Sequence, residues 1–131
     1  MVGIDFRPAD GKLYALTSTA RLYTVDANTG AATLKATLAA DPADATAPYA
    51  GLVGTTNSVD FNPVADRLRV LSETGQSLRI NVDTGATTTD GEVNRAGTPA
   101  TVVAAAYSNS FAGTTTTTLF DLDANSDVLA R

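Results

Sequence analysis

The sequence predicts an all-β protein built from β-propeller-like repeats, each a four-stranded antiparallel blade, with two full blades and a partial third. Three observations support this prediction: the composition, the spacing of turn residues and an internal repeat. Hydrophobic residues make up 44% of the 131 positions and charged residues 18%, which is enough apolar material to bury a core. Thr, Gly, Ala and Val are abundant and Trp is absent, as is typical of strands joined by tight turns.

The internal repeat has a period of about 55 residues. Residues 3–8 (GIDFRP) align with residues 58–63 (SVDFNP), so an Asp-Phe-x-Pro pattern occurs twice. The similarity continues along both segments: Lys12-Leu13 with Arg67-Leu68, Leu16 with Leu71, Val25-Asp26 with Val82-Asp83 after a slip of two, and Thr29-Gly30 with Thr84-Gly85. A match this extended predicts stacked copies of one supersecondary unit.

Within the first repeat, hydrophobic alternation and turn residues predict four strands, at residues 2–6, 13–17, 22–26 and 32–38. Alternation in the first of these places Ile4 and Phe6 on one face of the sheet. The second repeat predicts strands at residues 59–61, 68–71, 78–82 and 86–89, and the third at 102–107, 115–121 and 128–130. The Thr run at 114–118 is included in the third repeat because Thr has a high β-propensity.

These strands divide a single domain, residues 1–131, into blade 1 at about 1–40, blade 2 at about 58–92 and partial blade 3 at about 101–131. Two connections, residues 39–57 and 94–100, contain Pro and Gly and are predicted to be loops. Long loops on a scaffold often carry function, but a role as plain spacers is the simpler interpretation here.

Several of these segments resemble a known family. They are GIDFRP at 3–8, KLYAL at 12–16, DFNPVADRLRV at 60–70, LRINVDTG at 78–85 and AAYSNS at 105–110. Together they are similar to the bacterial family catalogued as domain of unknown function 4394. The resemblance implies a propeller-like repeat protein, commonly exported, with members of about twice this length, and it implies no catalytic role for any residue.

The net charge of −5 and the pI of about 4.4 make nucleic acid a poor partner, because an acidic surface repels a phosphate backbone. No apolar run approaches the roughly 20 residues that span a bilayer, so we expect no membrane span. Met1-Val2 leads into a strand pattern without a basic leader, so we expect no signal peptide in this chain. The low Lys content and the abundance of Thr, Ala and Asp favour an extracellular or periplasmic location.

The chain contains no His and no Cys. It therefore lacks the usual general base near neutral pH, the usual triad partner of Ser, and the usual zinc and copper ligands. No catalytic constellation or cofactor site is recognisable, and we expect a protein that is not an enzyme. Acid–base chemistry by paired carboxylates remains conceivable, and it would require Asp5, Asp60 and Asp121 to converge on one point.

One segment has the alternating oxygen side chains that open a calcium loop: Asp121, Asp123, Asn125 and Asp127. Ser126 stands where a calcium loop has its sharp-turn Gly, and no acidic residue follows Asp127 to serve as the twelfth ligand. The favoured interpretation is a β-turn, with calcium as the weaker alternative.

A basic cluster in the second repeat offers an anion or ligand site at Arg67, Arg69 and Arg79. Guanidiniums aligned on adjacent strands form a fork suited to a carboxylate or phosphate. The favoured interpretation is instead a salt-bridge ladder with acidic partners from Asp60, Asp66, Glu73 or Asp83, since an acidic chain supplies many.

The leading functional hypothesis is a non-catalytic propeller that serves as a binding or structural module for an unknown ligand. Because a propeller closes with about four to eight blades, we expect this chain to be completed by self-association as a homo-oligomer, with a two-fold dimer favoured. The first alternative is a calcium-dependent lactonase- or glycosidase-like enzyme with carboxylates in the central channel. The second is a fragment or engineered propeller chain.

Overall fold

The computed structural model describes residues 1–131 and contains strands, turns and loops but no helix, which confirms the all-β class with several antiparallel sheets. No helix able to cross a membrane is present. Blade 1 is a four-stranded antiparallel sheet in chain order. Its strands are β1 (Gly3–Phe6), β2 (Leu13–Leu16), β3 (Arg21–Val25) and β4 (Ala32–Thr37).

Blade 2 has one strand more than the sequence predicts. Its four antiparallel strands are β6 (Asn57–Asn62), β7 (Arg67–Ser72), β8 (Ser77–Ile80) and β9 (Ala86–Thr89). A two-residue strand, β5 (Ala39–Ala40), leaves blade 1 and pairs in parallel with β9. The Ala39 amide donates to the Gly85 carbonyl, and the Asp41 amide donates to the Thr87 carbonyl. The start of the first connection therefore caps the outer edge of blade 2, and residue 40 lies in the blade 2 sheet.

Blade 3 has three strands, β12 (Val102–Tyr107), β13 (Leu119–Asp123) and β14 (Val128–Ala130). Between blades 2 and 3, the second connection contains a short hairpin of β10 (Asn94–Arg95) and β11 (Thr98–Pro99), where the sequence predicted a loop. The three blades do not close a ring.

The strand predicted at residues 115–121 begins four residues later, and the Thr run is a loop. Side chains in this segment bond to the backbone locally. The Thr117 hydroxyl donates to the Ser108 carbonyl, the Thr114 hydroxyl to the Thr116 carbonyl, and the Asn109 amide to the same Thr116 oxygen. These bonds give the backbone an alternative to a sheet ladder, and they outweigh the β-propensity of Thr.

The hairpin turns of the blades repeat one five-residue design. An Asn or Asp at the first position accepts amide hydrogen bonds from residues two or three positions later, and the fifth position has a positive φ. The turns that follow this design are Asp26–Gly30, Asn62–Asp66, Asn81–Gly85 and Asp123–Asp127. Gly85 is required in its turn because its φ is +81° and an added Cβ would meet the Thr37 carbonyl.

Each blade has two faces, and the core lies between blades. On blade 2, the face that includes Phe61, Leu68 and Val70 packs toward blade 1, and the three side chains are at most 1% exposed. On the opposite face, Leu71 packs with Val102 of blade 3. The apolar alternation of each strand therefore serves contacts with two neighbouring blades.

Candidate functional site

The seam between blades 1 and 2 has an apolar centre. The Phe61 ring packs edge-on against Tyr14, with 5.4 Å between ring centroids. On the inner strands, Val59 lies so close to Gly3 that a Cβ on Gly3 would be 2.7 Å from the Val59 Cβ. Leu16 and these aromatic rings join one buried cluster that spans both blades. The glycine permits the inner strands to approach, and the apolar side chains fill the space behind them.

Carboxylates on the inner strands cross each seam in the same way. Asp5 Oδ2 on β1 accepts the Phe61 amide at 2.7 Å, and Asp60 Oδ2 on β6 accepts the Tyr107 amide at 2.7 Å. Ser58 reinforces the second seam, because its hydroxyl is bonded to both the amide and the carbonyl of Ala105. The repeated Asp therefore fixes the register between one blade and the next.

The same geometry brings the Asp5 and Asp60 carboxyl groups close enough to influence each other's ionisation. Burial raises the pKa of both groups. For Asp60, burial and the neighbouring Asp5 carboxyl outweigh the hydrogen bond from the Tyr107 amide and raise the pKa to about 6. The pair is a proton-binding site on the inner strands.

We expect Asp60→Asn to stabilise the protein at pH 7.5 by about 1–2 kcal/mol, after allowance for solvent screening, and to leave stability at pH 4 nearly unchanged. The folded state holds the Asp60 proton more tightly than the unfolded chain, so wild-type stability falls as pH rises from about 4 through about 6. Asn keeps the acceptor for Tyr107 and removes the charge. Urea unfolding at both pH values measures the effect.

Asp26→Asn is the matched control, because burial hardly affects Asp26 and amide hydrogen bonds from Asn28 and Thr29 lower its pKa. It should give no gain at pH 7.5. Equal stabilisation by both variants, or none by Asp60→Asn, would show that Asp60 is not the residue that makes stability fall with pH.

Asp121 does not join the inner pair. It lies on β13, opposite Ala105 on β12 and Ala130 on β14, at the position where blade 2 has the core residue Val70. Burial and the nearby charge of Asp123 raise its pKa. The three carboxylates that a channel enzyme would need are therefore split between two places, Asp5 with Asp60 and Asp121 with Asp123.

The arginines proposed as an anion fork meet an internal carboxylate. Arg69 on β7 is the cross-strand partner of Arg79 on β8, and both reach Asp90 at the end of β9. Arg69 Nη1 lies 2.5 Å from Asp90 Oδ2, and Arg79 Nη2 lies 2.8 Å from Asp90 Oδ1. Arg69 also donates to the Ser77 and Tyr107 hydroxyls. Burial opposes ionisation of Asp90, but the two guanidiniums outweigh it and hold its pKa below the ordinary value.

The partner of Arg69 and Arg79, Asp90, is outside the acidic set that the sequence predicted. Arg67 lies apart from this fork and donates to the carbonyls of Ala65 and Asp66. The fork thus combines two of the three candidate arginines. The sequence carries one usable signal for Asp90: it directly follows the fourth strand of the blade, which pairs with the strand that carries Arg79.

Sequence reasoning missed an ion-pair cluster that Arg7 makes across the first seam. Its Nε and Nη2 bind Asp66 at 2.8 and 2.6 Å, and Nη2 lies 3.0 Å from Asp83. Asp66 and Asp83 belong to turns of blade 2, whereas Arg7 follows β1 of blade 1. The contact with Asp66 leads the causes that raise the pKa of Arg7. In the alignment of the two repeats, Arg7 occupies the position of the turn-forming Asn62. This difference between the repeats is the sequence signal that could have identified Arg7.

The segment that the sequence offered as a weak calcium candidate is one of the five-residue hairpin turns. Asp123 Oδ1 accepts the amides of Thr101 and Asn125 at 3.1 Å, and Oδ2 accepts the Ser126 hydroxyl. The Asn125 amide group donates to the Thr101 hydroxyl, and Asp127 takes the positive-φ position. No group of three or more His, Cys, Asp or Glu side chains is arranged to hold a metal ion. The Asp123 oxygens are used in the turn and in fastening it to β12.

The family profile described as Domain of unknown function (DUF4394) matches residues 1–131. The chain belongs to the DUF4394 family. No curated protein and no solved structure is detectably similar to it.

Proposed function

We propose that the chain is a non-catalytic propeller module with a binding or structural role, completed by self-association and acting outside the cytoplasm. The observation that supports a non-catalytic role is the use of its charged groups. Arg7 ties blade 1 to blade 2, and Arg69 and Arg79 share Asp90 within blade 2. Guanidiniums bound in this way have few donors left for a substrate.

The structural role follows from where these contacts lie. The Asp5 and Asp60 carboxylates each bond to a backbone amide of the next blade, and Arg69 bonds to Tyr107 of blade 3. Charged groups at the seams set the spacing and register of blades, while apolar side chains supply most of the burial energy. A scaffold of this kind supports a ligand surface that the closed ring would create.

One observation favours the alternative of a carboxylate enzyme. Burial and the neighbouring Asp5 raise the pKa of Asp60 to about 6, and two adjacent carboxyl groups with raised pKa are suited to acid–base chemistry. Both groups also accept seam amides, a structural task that limits their freedom to move. We therefore place this alternative second.

The test is the particle mass by native mass spectrometry at micromolar concentration, together with thermal unfolding with and without about 5 mM calcium. We expect a multiple of the chain mass and a melting midpoint unchanged by calcium, since the Asp123 turn offers at best roughly millimolar affinity. A monomer with no larger species would contradict completion by self-association. A clear rise in the midpoint with calcium would favour the calcium-dependent enzyme.

A further inference from the structure

Large apolar side chains remain exposed on the two outward-facing blade faces. On blade 1, Ile4 is 50% and Phe6 is 54% exposed, and we call this pair the blade-1 open face. On blade 3, Phe120, Leu122 and Leu129 are 36%, 45% and 61% exposed, and we call them the blade-3 open face. Apolar residues grouped in this way mark an interaction surface more often than single exposed ones do.

The repeat shows what normally covers a surface like the blade-3 open face. The Tyr107 amide bonds to Asp60 as the Phe61 amide bonds to Asp5, so β12 aligns with β6 and β1. Carried through the strand pairings, this alignment matches Phe120 with Tyr14, Leu122 with Leu16 and Leu129 with Leu22. The three blade 1 residues are at most 2% exposed, because blade 2 covers them.

The blade-1 open face matches the surface that does the covering. By the same repeat, Ile4 corresponds to Val59 and Phe6 to Phe61. Phe61 is 0% exposed because it packs on blade 1, whereas Phe6 has no blade in front of it. The chain thus carries both halves of its own blade-to-blade seam, one at each outer face.

We propose that the blade-1 open face of a second copy packs on the blade-3 open face, in the register in which blade 2 packs on blade 1. Phe6 of the second copy then lies against Phe120, as Phe61 lies against Tyr14. This proposal rests on the self-association proposed above and adds its geometry, a head-to-tail contact. The contact is heterologous, and it is repeated because each copy supplies one face of each kind.

Two copies in this register close a ring. Each contributes three blades, and six blades fall within the range of about four to eight that propellers use. The new junction needs no carboxylate. Ala106 stands where the other inner strands have Asp, and the Phe6 amide is already bonded to Asp5 Oδ1 at 2.7 Å. The junction is therefore an apolar seam without an orphaned inner amide.

Disulfide cross-linking tests the register, since the chain has no cysteine of its own. Ile4→Cys and Ala104→Cys occupy the repeat positions of Val59 and Gly3, whose Cβ positions would lie 2.7 Å apart. Ala104 already carries a Cβ, so the strands must separate slightly more, which moves the pair toward the roughly 3.5–4.5 Å of disulfides. We expect the two variants, mixed and oxidised, to form chiefly the mixed disulfide, detected by intact mass.

The matched control is Val64→Cys, an exposed position in the turn between β6 and β7 of blade 2, outside both open faces. It should not cross-link to Ile4→Cys in preference to itself. A dimer in which Ile4→Cys pairs mainly with itself would overturn the head-to-tail register and leave self-association standing. A monomeric wild-type chain would overturn both.

A second variant pair avoids reliance on cysteine chemistry. Phe120→Asp places a charge on the blade-3 open face and should lower the particle mass to that of one chain at micromolar concentration. Val64→Asp adds the same charge in the turn of blade 2 and should leave the mass unchanged. Circular dichroism checks that both variants keep their strands, and an unchanged mass for folded Phe120→Asp would overturn the proposed contact.

Discussion

Phe61→Ala is expected to lower the free energy of unfolding by about 3–5 kcal/mol, the range for truncating a buried aromatic side chain. Phe61 is fully buried and packs edge-on against Tyr14, so its removal leaves a cavity in the seam between blades 1 and 2. The backbone around it is held by the Asp5 bond to the Phe61 amide and cannot easily collapse into the space. Urea unfolding followed by circular dichroism measures the loss.

Small domains have a free energy of unfolding of only about 5–15 kcal/mol, so the Phe61→Ala variant retains little stability and is close to unfolding. Phe61→Leu is the second variant and should cost less, about 1–2 kcal/mol. Phe111→Ala makes the same chemical change at a side chain that is 59% exposed, and should cost less than about 0.5 kcal/mol. If Phe61→Ala and Phe111→Ala had similar stabilities, blades 1 and 2 would not pack through this seam.

The strands of blades 1 and 2 could be predicted because local and repeat signals agree. Alternation around Leu13–Leu16 and the turn at Asp26–Gly30 gave bounds within about two residues of those observed. The alignment of GIDFRP with SVDFNP also pairs Ile4 with Val59 and Phe6 with Phe61, and these equivalences define the two open faces. The strand predicted over the Thr run is wrong because side-chain hydrogen bonds to the Ser108 and Thr116 carbonyls hold this segment as a loop. Such specific contacts are not encoded in β-propensity.

The charged contacts were harder to predict because they depend on distances between blades. The sequence placed Arg69 near acidic residues, but Asp90 becomes its partner only when β7, β8 and β9 lie side by side. Likewise, Asp5 and Asp60 are equivalent positions of the repeat that lie 55 residues apart along the chain. They come close together because the inner strands of the two blades stack. Periodicity predicts the face on which a side chain lies, whereas stacking decides which blade it meets.

Asp90→Ala should lower the free energy of unfolding by about 2–4 kcal/mol, more than removal of either arginine partner, because it leaves a partly buried charge without its counter-ion. Arg69 and Arg79 are direct cross-strand neighbours, and Asp90 alone holds their two positive charges together. Without it, like charges face each other and the Arg69 guanidinium, 14% exposed, keeps only neutral partners. Urea unfolding at pH 7, with the variant compared at low and high salt, measures the loss and its screening.

The single arginine variants should follow burial. Arg69→Ala should cost about 2 kcal/mol, while Arg79→Ala, at a side chain that is 47% exposed, should cost about 1 kcal/mol or less. Arg67→Ala serves as the control, because its guanidinium donates to carbonyls and leaves no carboxylate unpaired. Phosphate titration of each variant by calorimetry separates structure from ligand binding. If Arg69→Ala kept wild-type stability and abolished phosphate binding, Arg69 and Arg79 would form an anion site. The assignment of Asp90 as their structural ion-pair partner would then be wrong.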